Sequence, residues 1–228
     1  MAERFFAADL HMGHAGMIMF KGPDQTKPLR PWGRAVGKGG EMSEEEKAER
    51  VMAHDEAIIE NWNRVVGPSD KVYVLGDVII GRSQLPTLGR LNGKKRLYMG
   101  NHDIFIKKWN ADYQPYFTEI SAYKVFDDLI CSHIPLHPES VKERWKANVH
   151  GHLHANRVKT IMPRRGILGK AIDIFAPREA IDPIYLNVSL EQIDYTPISM
   201  DEVYARIAAQ QEEAAERYGW ERHSPWKK

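Results

Sequence analysis

A chain of 228 residues with 43% hydrophobic content can bury one substantial core, and we expect residues 1–228 to form a single domain rather than two small ones. The net charge of +1 and isoelectric point near 7.9 exclude a general electrostatic case for a nucleic-acid coat or a membrane-surface protein, so any attraction must be local. A lone cysteine, Cys131, excludes an internal disulfide, no apolar run nears the roughly 20 residues of a membrane span, and the early charges at Glu3 and Arg4 do not suit a signal peptide; a reducing, cytoplasmic setting away from membranes is expected.

The chain opens on Arg4 to Asp9, a compact apolar run that reads as a buried strand ending at Asp9-Leu10-His11-Met12-Gly13-His14. Asp9 and His11 stand two apart, and side chains at that spacing on extended backbone point the same way and can grip one ion. The bland alternative is a polar loop with an accidental histidine. Residues 21 to 40 carry Gly22, Pro23, Pro28, Pro31, Gly33, Gly37, Gly39 and Gly40, which break any regular element. This basic loop, about residues 21–42, bears Lys21, Lys27, Arg30, Arg34 and Lys38 against Asp24. Laid over a metal cluster it would be an electropositive lid for phosphate, with Trp32 available to stack on a base; otherwise it is a solvated, mobile surface.

From Ser43 the pattern turns helical. Ser43 and Glu46 form a capping box, Glu44 to Glu46 suit the positive helix start, and Val51, Asp55, Ile58, Trp62 and Val65 recur at spacings of four and three. The helix is expected to reach Val66, with Ile58, Trp62 and Val65 on a sheet, while His54 and Asn63 are polar positions suited to supporting roles. Asp70 to Asp77 is a second buried strand ending in a carboxylate, a shorter helix follows around Ser83 to Leu91, and Lys94 to Met99 is a strand that runs into Gly100-Asn101-His102-Asp103. Helix followed by strand, repeated, indicates a layered α/β domain, whose ligands collect outside the carboxyl ends of the strands.

The second half reads as more antiparallel. Ile120 to Phe126, a turn at Asp127-Asp128, and Leu129 to Ser132 form an expected hairpin that stops at His133. A strand from Ala147 to His150 opens into Gly151-His152-Leu153-His154, whose two imidazoles share one face if the backbone stays extended. Residues 155–183 carry Arg157, Lys159, Arg164, Arg165, Lys170 and Arg178 against Asp173, Glu179 and Asp182, either a second basic flap beside His154 or an exposed loop. Ile184 to Val188 and Gln192 to Tyr195 read as closing strands. Ser199 with Glu202 caps a last helix to about Arg217, with Val203, Ile207 and Ala214 on one face.

Six of the ten histidines (His11, His102, His133, His150, His152 and His154) fall at these strand ends, more than chance placement gives. Asp9, His11, Asp77, Asn101, His133, His152 and His154 make a set of oxygen and nitrogen donors without thiolate, which suits Mn, Fe, Ni or Zn rather than a structural cysteine zinc. Seven donors exceed the need of one ion once waters are counted. Two divalent metal ions are therefore implied, bridged by one carboxylate.

The ordered series Asp-x-His, Gly-Asp, Gly-Asn-His-Asp, His and Gly-His-x-His, at 9–11, 76–77, 100–103, 133 and 151–154, resembles the calcineurin-like metallophosphoesterase superfamily. Within it, Asp-Leu-His-Met-Gly-His, His-Asp-Glu-Ala-Ile-Ile-Glu-Asn-Trp-Asn and Tyr185-Leu186-Asn187-Val188-Ser189 resemble a group of small bacterial and phage phosphoesterases. The resemblance implies an α/β fold, a four-layer αββα sandwich of two mixed β-sheets with metals at one sheet edge. Carried over by position, Asp9, His11, Asp77 and His154 would hold one ion and Asp77, Asn101, His133 and His152 the other, with Asp77 as the bridge. His102 matches the family's acid, which protonates the leaving oxygen or steadies developing charge. Ions about 4 Å apart would lower the pKa of a shared water and aim it at phosphorus in line, with no covalent intermediate.

The sequence also departs from its relatives. Protein phosphatases of the superfamily follow Gly-Asp with an aspartate three positions later and then an arginine; here Ile80 and Gly81 stand there. The arginine that grips a dianionic monoester is thus missing from that block, although Arg82 is near, and Asp103 is a candidate orienter for His102. His14 and His150 would be supporting or substrate-side groups. A site lacking the clamp favours singly charged diesters, so the expected activity is that of a manganese-dependent phosphodiesterase on cyclic nucleotides or related small phosphodiesters. The alternatives are a nuclease or nucleic-acid end-processing phosphatase that uses both basic loops and Trp32, a phosphomonoesterase, and a non-catalytic module, against which His102 and the complete donor series argue. No repeat, heptad or apolar stripe speaks for an oligomer.

Overall fold

A computed structural model of the chain describes residues 2–34, 42–104, 109–162 and 178–221. Strand β1 (Arg4–Ala7) buries Phe5, Phe6 and Ala7 in succession, as a strand covered on both faces must. After a short helix α1 (Ala15–Met19), helix α2 (Glu44–Val65) begins where the capping pattern places it, with Ser43 Oγ accepting from the Glu46 N–H at 3.1 Å. Its Ile58, Ile59 and Trp62 are buried in the core, and Val65 packs partly buried against them. Strand β2 (Lys71–Val74), helix α3 (Leu85–Leu88), strand β3 (Lys94–Tyr98), helices α4 (Asn101–Ile104) and α5 (Trp109–Tyr113), and strand β4 (Glu119–Ser121) follow.

The second half supplies β5 (Tyr123–Val125), β6 (Leu129–Ser132), α6 (Pro138–Val141), β7 (Ala147–His150), β8 (Lys159–Ile161), β9 (Glu179–Ile181), β10 (Tyr185–Asn187), β11 (Ile198–Ser199) and α7 (Met200–Tyr218). Helix α7 is capped by Ser199 Oγ accepting from the Glu202 N–H, buries Val203, Ile207 and Ala214, and ends at left-handed Gly219. Two mixed sheets result, one ordered β11-β1-β2-β3-β4 and the other β10-β7-β6-β5, with β8 and β9 as a separate two-stranded ribbon. One apolar core takes residues from both mixed sheets, among them Phe6, Val74 and Leu97 from the first and Cys131, Val149 and Leu186 from the second. No helix among the described residues is long and apolar enough to cross a membrane.

Four expectations are corrected. The strand expected over 120–126 breaks at the exposed bend Ala122: β4 pairs with β3 in the first sheet, β5 with β6 in the second. Apolar alternation marks extended backbone but not the sheet it joins. For the same reason the second half is not mainly antiparallel, since β6–β7 and β7–β10 are parallel and only β5–β6 runs antiparallel in that sheet. The stretch 192–195 is a turn rather than a strand, with Asp194 and Tyr195 at φ of 48° and 55° after the 3-10 turn Leu190–Gln192. Residues 155–162 and 178–183 are also not plain loop, because β8 pairs antiparallel with β9; residues 35–41 and 163–177, which carry Lys38, Arg164, Arg165, Lys170 and Asp173, lie outside the described residues.

The registers decide where the polar clusters go. Ala7, Val74 and Leu97 are aligned across three parallel strands, so the segments after β1, β2 and β3 leave at one edge. Ser132, His150 and Asn187 are likewise aligned across β6, β7 and β10. The two edges are stitched together: the Ala8 N–H donates to the Val188 carbonyl at 3.0 Å, the Val188 N–H to the His150 carbonyl at 2.8 Å, and the Leu190 N–H to the Ala8 carbonyl.

Candidate metal centre

Parallel register brings Asp9, His11, Asp77, Asn101, His102, His133, His152 and His154 to this common edge, but not by the extended geometry expected from their spacing. Eight non-glycine described residues have positive φ, and five of them are Asp9 (59°), His11 (50°), Asp77 (55°), His152 (70°) and His154 (51°). Each lies just past a strand end in the left-handed region, which costs on the order of 1–3 kcal/mol for a residue with a Cβ and gathers at functional sites. The turns are held by backbone hydrogen bonds, Asp9 N–H to the Gly76 carbonyl and His11 N–H to the Asp77 carbonyl, at 3.0 and 2.9 Å.

Among the described residues, three groups of donor atoms are close enough to hold an ion: Asp9–His11–His154, His11–Asp77–His102 and Asp77–His133–His152. His11 Nε2 lies 3.8 Å from Asp9 Oδ1 and 3.6 Å from Asp77 Oδ2, and His154 Nε2 lies 3.9 Å from Asp9 Oδ1. On the other side His133 Nε2 is 3.4 Å from Asp77 Oδ2 and 3.1 Å from Asn101 Oδ1. Donors about 2.1 Å from a common ion lie about 3 to 3.4 Å apart at octahedral or tetrahedral angles, so these separations need only slight contraction. Asp9 Oδ1 and both ring nitrogens of His11 are buried without a hydrogen-bond partner, an arrangement that buried polar atoms avoid unless an ion or water completes it. Donor chemistry and orphaned atoms together fit divalent cations.

The electrostatics agree. Burial works against the Asp9 carboxylate, but His11, His154 and His133 outweigh it and hold its pKa well below the usual range. Burial pulls His133 down, yet Asp77 and Asp9 push it up to about 9, with Leu75 O accepting from Nδ1–H at 2.8 Å. Burial and the neighbouring imidazoles lower His14 to about 4. Two glycines let the walls approach this closely. A Cβ on Gly76, at φ 85°, would stand 2.5 Å from His133 Nδ1, and a Cβ on Gly100 would collide with Asp77 Oδ1. Gly100→Ala is therefore expected to displace Asp77 and weaken divalent-ion binding at least 10-fold, read by calorimetric titration; unchanged affinity would contradict the packing described.

No family model matches the chain. It is 28% identical over 209 residues to an uncharacterized protein of Methanocaldococcus jannaschii, covering 88% of this chain and 89% of that protein. It is 25% identical over 217 residues to the gene 66 protein of Mycobacterium phage L5, covering 81% and 93%. Among solved structures, a protein of unknown function from Aquifex aeolicus superposes with a TM-score of 0.52 at 23% identity, covering 90% of this chain and 99% of that one. Nuclease MPE of Pseudomonas putida overlaps 66% of this chain and 60% of its own, at 16% identity and a TM-score of 0.39. The Aquifex likeness is one of fold: a mixed α/β architecture.

The remaining predicted residues take varied places. The His14 ring lies 5.4 Å from that of His11 and 6.2 Å from that of His102, at the rim of the cluster. Asp103 does not orient His102: it is fully buried and accepts from the backbone N–H groups of Asp77, Val78 and Gly100, so it braces the turns that carry Asp77 and Asn101 instead. His150 is buried, its Nδ1–H donating to the Gly151 carbonyl and its ring packed edge-on against Tyr185. The exposed Arg82 pairs with Asp112. Trp32 packs edge-on against His54 and Tyr195. Of the expected basic lid, Arg30 is fully buried; of the second flap, Arg157 bonds Gln210, Lys159 pairs with Glu179 and Arg178 lies over the Tyr218 ring. Sequence reasoning missed Glu191, 3.2 Å from His154 Nδ1, and Ser189, whose hydroxyl donates to Asp9 Oδ2 at 2.8 Å; the one signal for Ser189 was the Tyr185–Ser189 block.

Proposed function

We propose that this chain is a binuclear metal-dependent phosphoesterase of the calcineurin-like superfamily, a single domain built as a four-layer αββα sandwich, and that it hydrolyses phosphodiesters of cyclic-nucleotide size with manganese as its metal. The observation that carries this reading is Asp77 Oδ2, which faces His11 Nε2 at 3.6 Å and His133 Nε2 at 3.4 Å, so that one carboxylate closes two donor sets. Asp9, His11, Asp77 and His154 hold one ion in this reading, and Asp77, Asn101, His133 and His152 the other. When bound, two divalent ions supply an acidified water and neutralise the phosphoryl oxygens.

The chain's own residues do the rest. The His102 backbone N–H donates to Asp77 Oδ1 at 2.9 Å, which anchors its main chain, while its side chain is 40% exposed and holds Nε2 4.0 Å from Asp77 Oδ2. That ring can hold a proton at Nε2 for a leaving oxygen without surrendering a ligand. Ile80 and Gly81 bring no cation to the site, and the Arg82 charge is spent on Asp112, so the phosphoryl group meets no guanidinium from this segment. A singly charged diester needs none.

Assay with manganese of 2′,3′- and 3′,5′-cyclic nucleotides, an aryl diester, an aryl monoester and single-stranded oligonucleotides tests the reading. Diester turnover that exceeds monoester turnover and vanishes with chelator is expected. Monoester preference would overturn the diester assignment, salt-sensitive cleavage of oligonucleotides would favour a nuclease, and failure to take up any divalent ion would remove the reading altogether.

A further inference from the structure

Arg30 is a fully buried arginine that makes four hydrogen bonds from its five N–H donors. Its Nε donates to Glu191 Oε1 at 2.7 Å, Nη1 to the Leu10 carbonyl at 2.9 Å and to His54 Nε2 at 2.6 Å, and Nη2 to the Asp9 carbonyl at 2.5 Å. Guanidinium donates only, so His54 Nε2 is the acceptor and Nδ1 carries the hydrogen, which it gives to Asp55 Oδ1 at 2.7 Å. The other Asp55 oxygen accepts from the Gly13 N–H at 2.9 Å. One chain of side chains thus holds the turn from Asp9 to Gly13 at both ends, the turn in which Asp9 and His11 keep their left-handed backbone.

The same guanidinium fixes a third donor. Glu191 Oε1, held by Arg30, lies 3.2 Å from His154 Nδ1. A carboxylate can only accept, so His154 carries its hydrogen on Nδ1 and turns the lone pair of Nε2 toward Asp9 Oδ1, 3.9 Å away. Arg30 touches both strand-end segments that bear Asp9, His11 and His154, the first directly and the second through Glu191. None of its hydrogen bonds reaches Asp77, Asn101, His133 or His152.

We infer that Arg30 and Glu191 are positioning residues for one ion of the pair, setting the backbone of the Asp9–His11 turn and the tautomer of His154 while leaving the other ion's donors alone. The inference rests on the two-ion reading above, but its test needs no substrate. Equilibrium dialysis against Mn2+ with elemental analysis counts ions in the wild type, Glu191→Asp, Glu191→Gln, and Asn101→Ala as the opposite-site control. Glu191→Asp keeps a counter-charge for Arg30 but withdraws the oxygen from His154 by one methylene. The wild type should take up two ions, and Glu191→Asp should keep one at unchanged affinity while the other weakens about 10–100-fold. Adding Glu191→Asp to Asn101→Ala should then weaken both. Should Glu191→Asp fail to fold, Glu191→Gln, of unchanged length, must weaken the same single ion by a smaller factor. Equal weakening of both ions, or of neither, overturns the positioning role alone; a wild type that binds fewer than two ions overturns the two-ion reading with it.

Discussion

Asp77→Asn is expected to reduce turnover about 10³-fold, equivalent to ~4 kcal/mol of transition-state stabilisation, and to lower the number of tightly held ions. The substitution is chosen because it keeps what is structural. Asparagine tolerates the left-handed backbone that Asp77 adopts at φ 55°, and its amide oxygen can still accept the His102 N–H. What it removes is the charge on Oδ2, which faces both His11 and His133. Without it, the set with Asn101, His133 and His152 has no anionic oxygen left, and the other set keeps only that of Asp9. A pH signature accompanies the loss. In metal-free protein His133 is held up to about 9, chiefly against burial by Asp77, so its contribution to stability is complete below the unfolded value of about 6.5 and fades as pH rises through 9. Denaturant midpoints in chelator should therefore fall between pH 6.5 and 9 in the wild type and stay flatter in Asp77→Asn. Activity within 10-fold of wild type, with two ions retained, would mean that Asp77 is not the shared ligand.

What the sequence made legible followed from short-range rules. Apolar runs that stop at a carboxylate or histidine are strands cut off at a polar edge, and parallel register then carries their ends to one place, as Ala7, Val74 and Leu97 show. Helix α2 was readable from Ser43 because a cap is a local device. The backbone of the turns was not readable: Asp9 and His11 were placed together by an extended-strand argument, yet both are left-handed, and the glycine and carbonyl contacts that hold them come from distant segments. Arg30 and Glu191 are 161 positions apart, and an arginine in a Gly- and Pro-rich stretch looks like a solvated charge until its partners are known. Asp103 misled for a related reason. Its neighbour in sequence is His102, but three backbone N–H groups from folded turns make a better set of partners for a buried carboxylate than one exposed ring.

His102→Ala separates the two roles that the geometry leaves to this residue. Its Nε2 is 4.0 Å from Asp77 Oδ2, and it belongs to a donor group with His11 and Asp77, so it has the reach of a ligand. Its ring packs edge-on to His11 at 5.2 Å and is 40% exposed, whereas His11 and His133 are nearly fully buried. A ligand shared between ions gains from being dry, but a proton donor must meet the leaving oxygen of a substrate that arrives from solvent. The tether to Asp77 runs through the backbone N–H, which alanine retains. Both ions should therefore stay bound while turnover falls roughly 100-fold or more on diesters with poor leaving groups, such as a ribose oxygen. On an aryl diester, whose leaving group needs little protonation, the loss should shrink toward unity. A uniform loss across leaving groups, together with a missing ion in elemental analysis, would instead make His102 a ligand and leave the leaving oxygen without a donor from this turn.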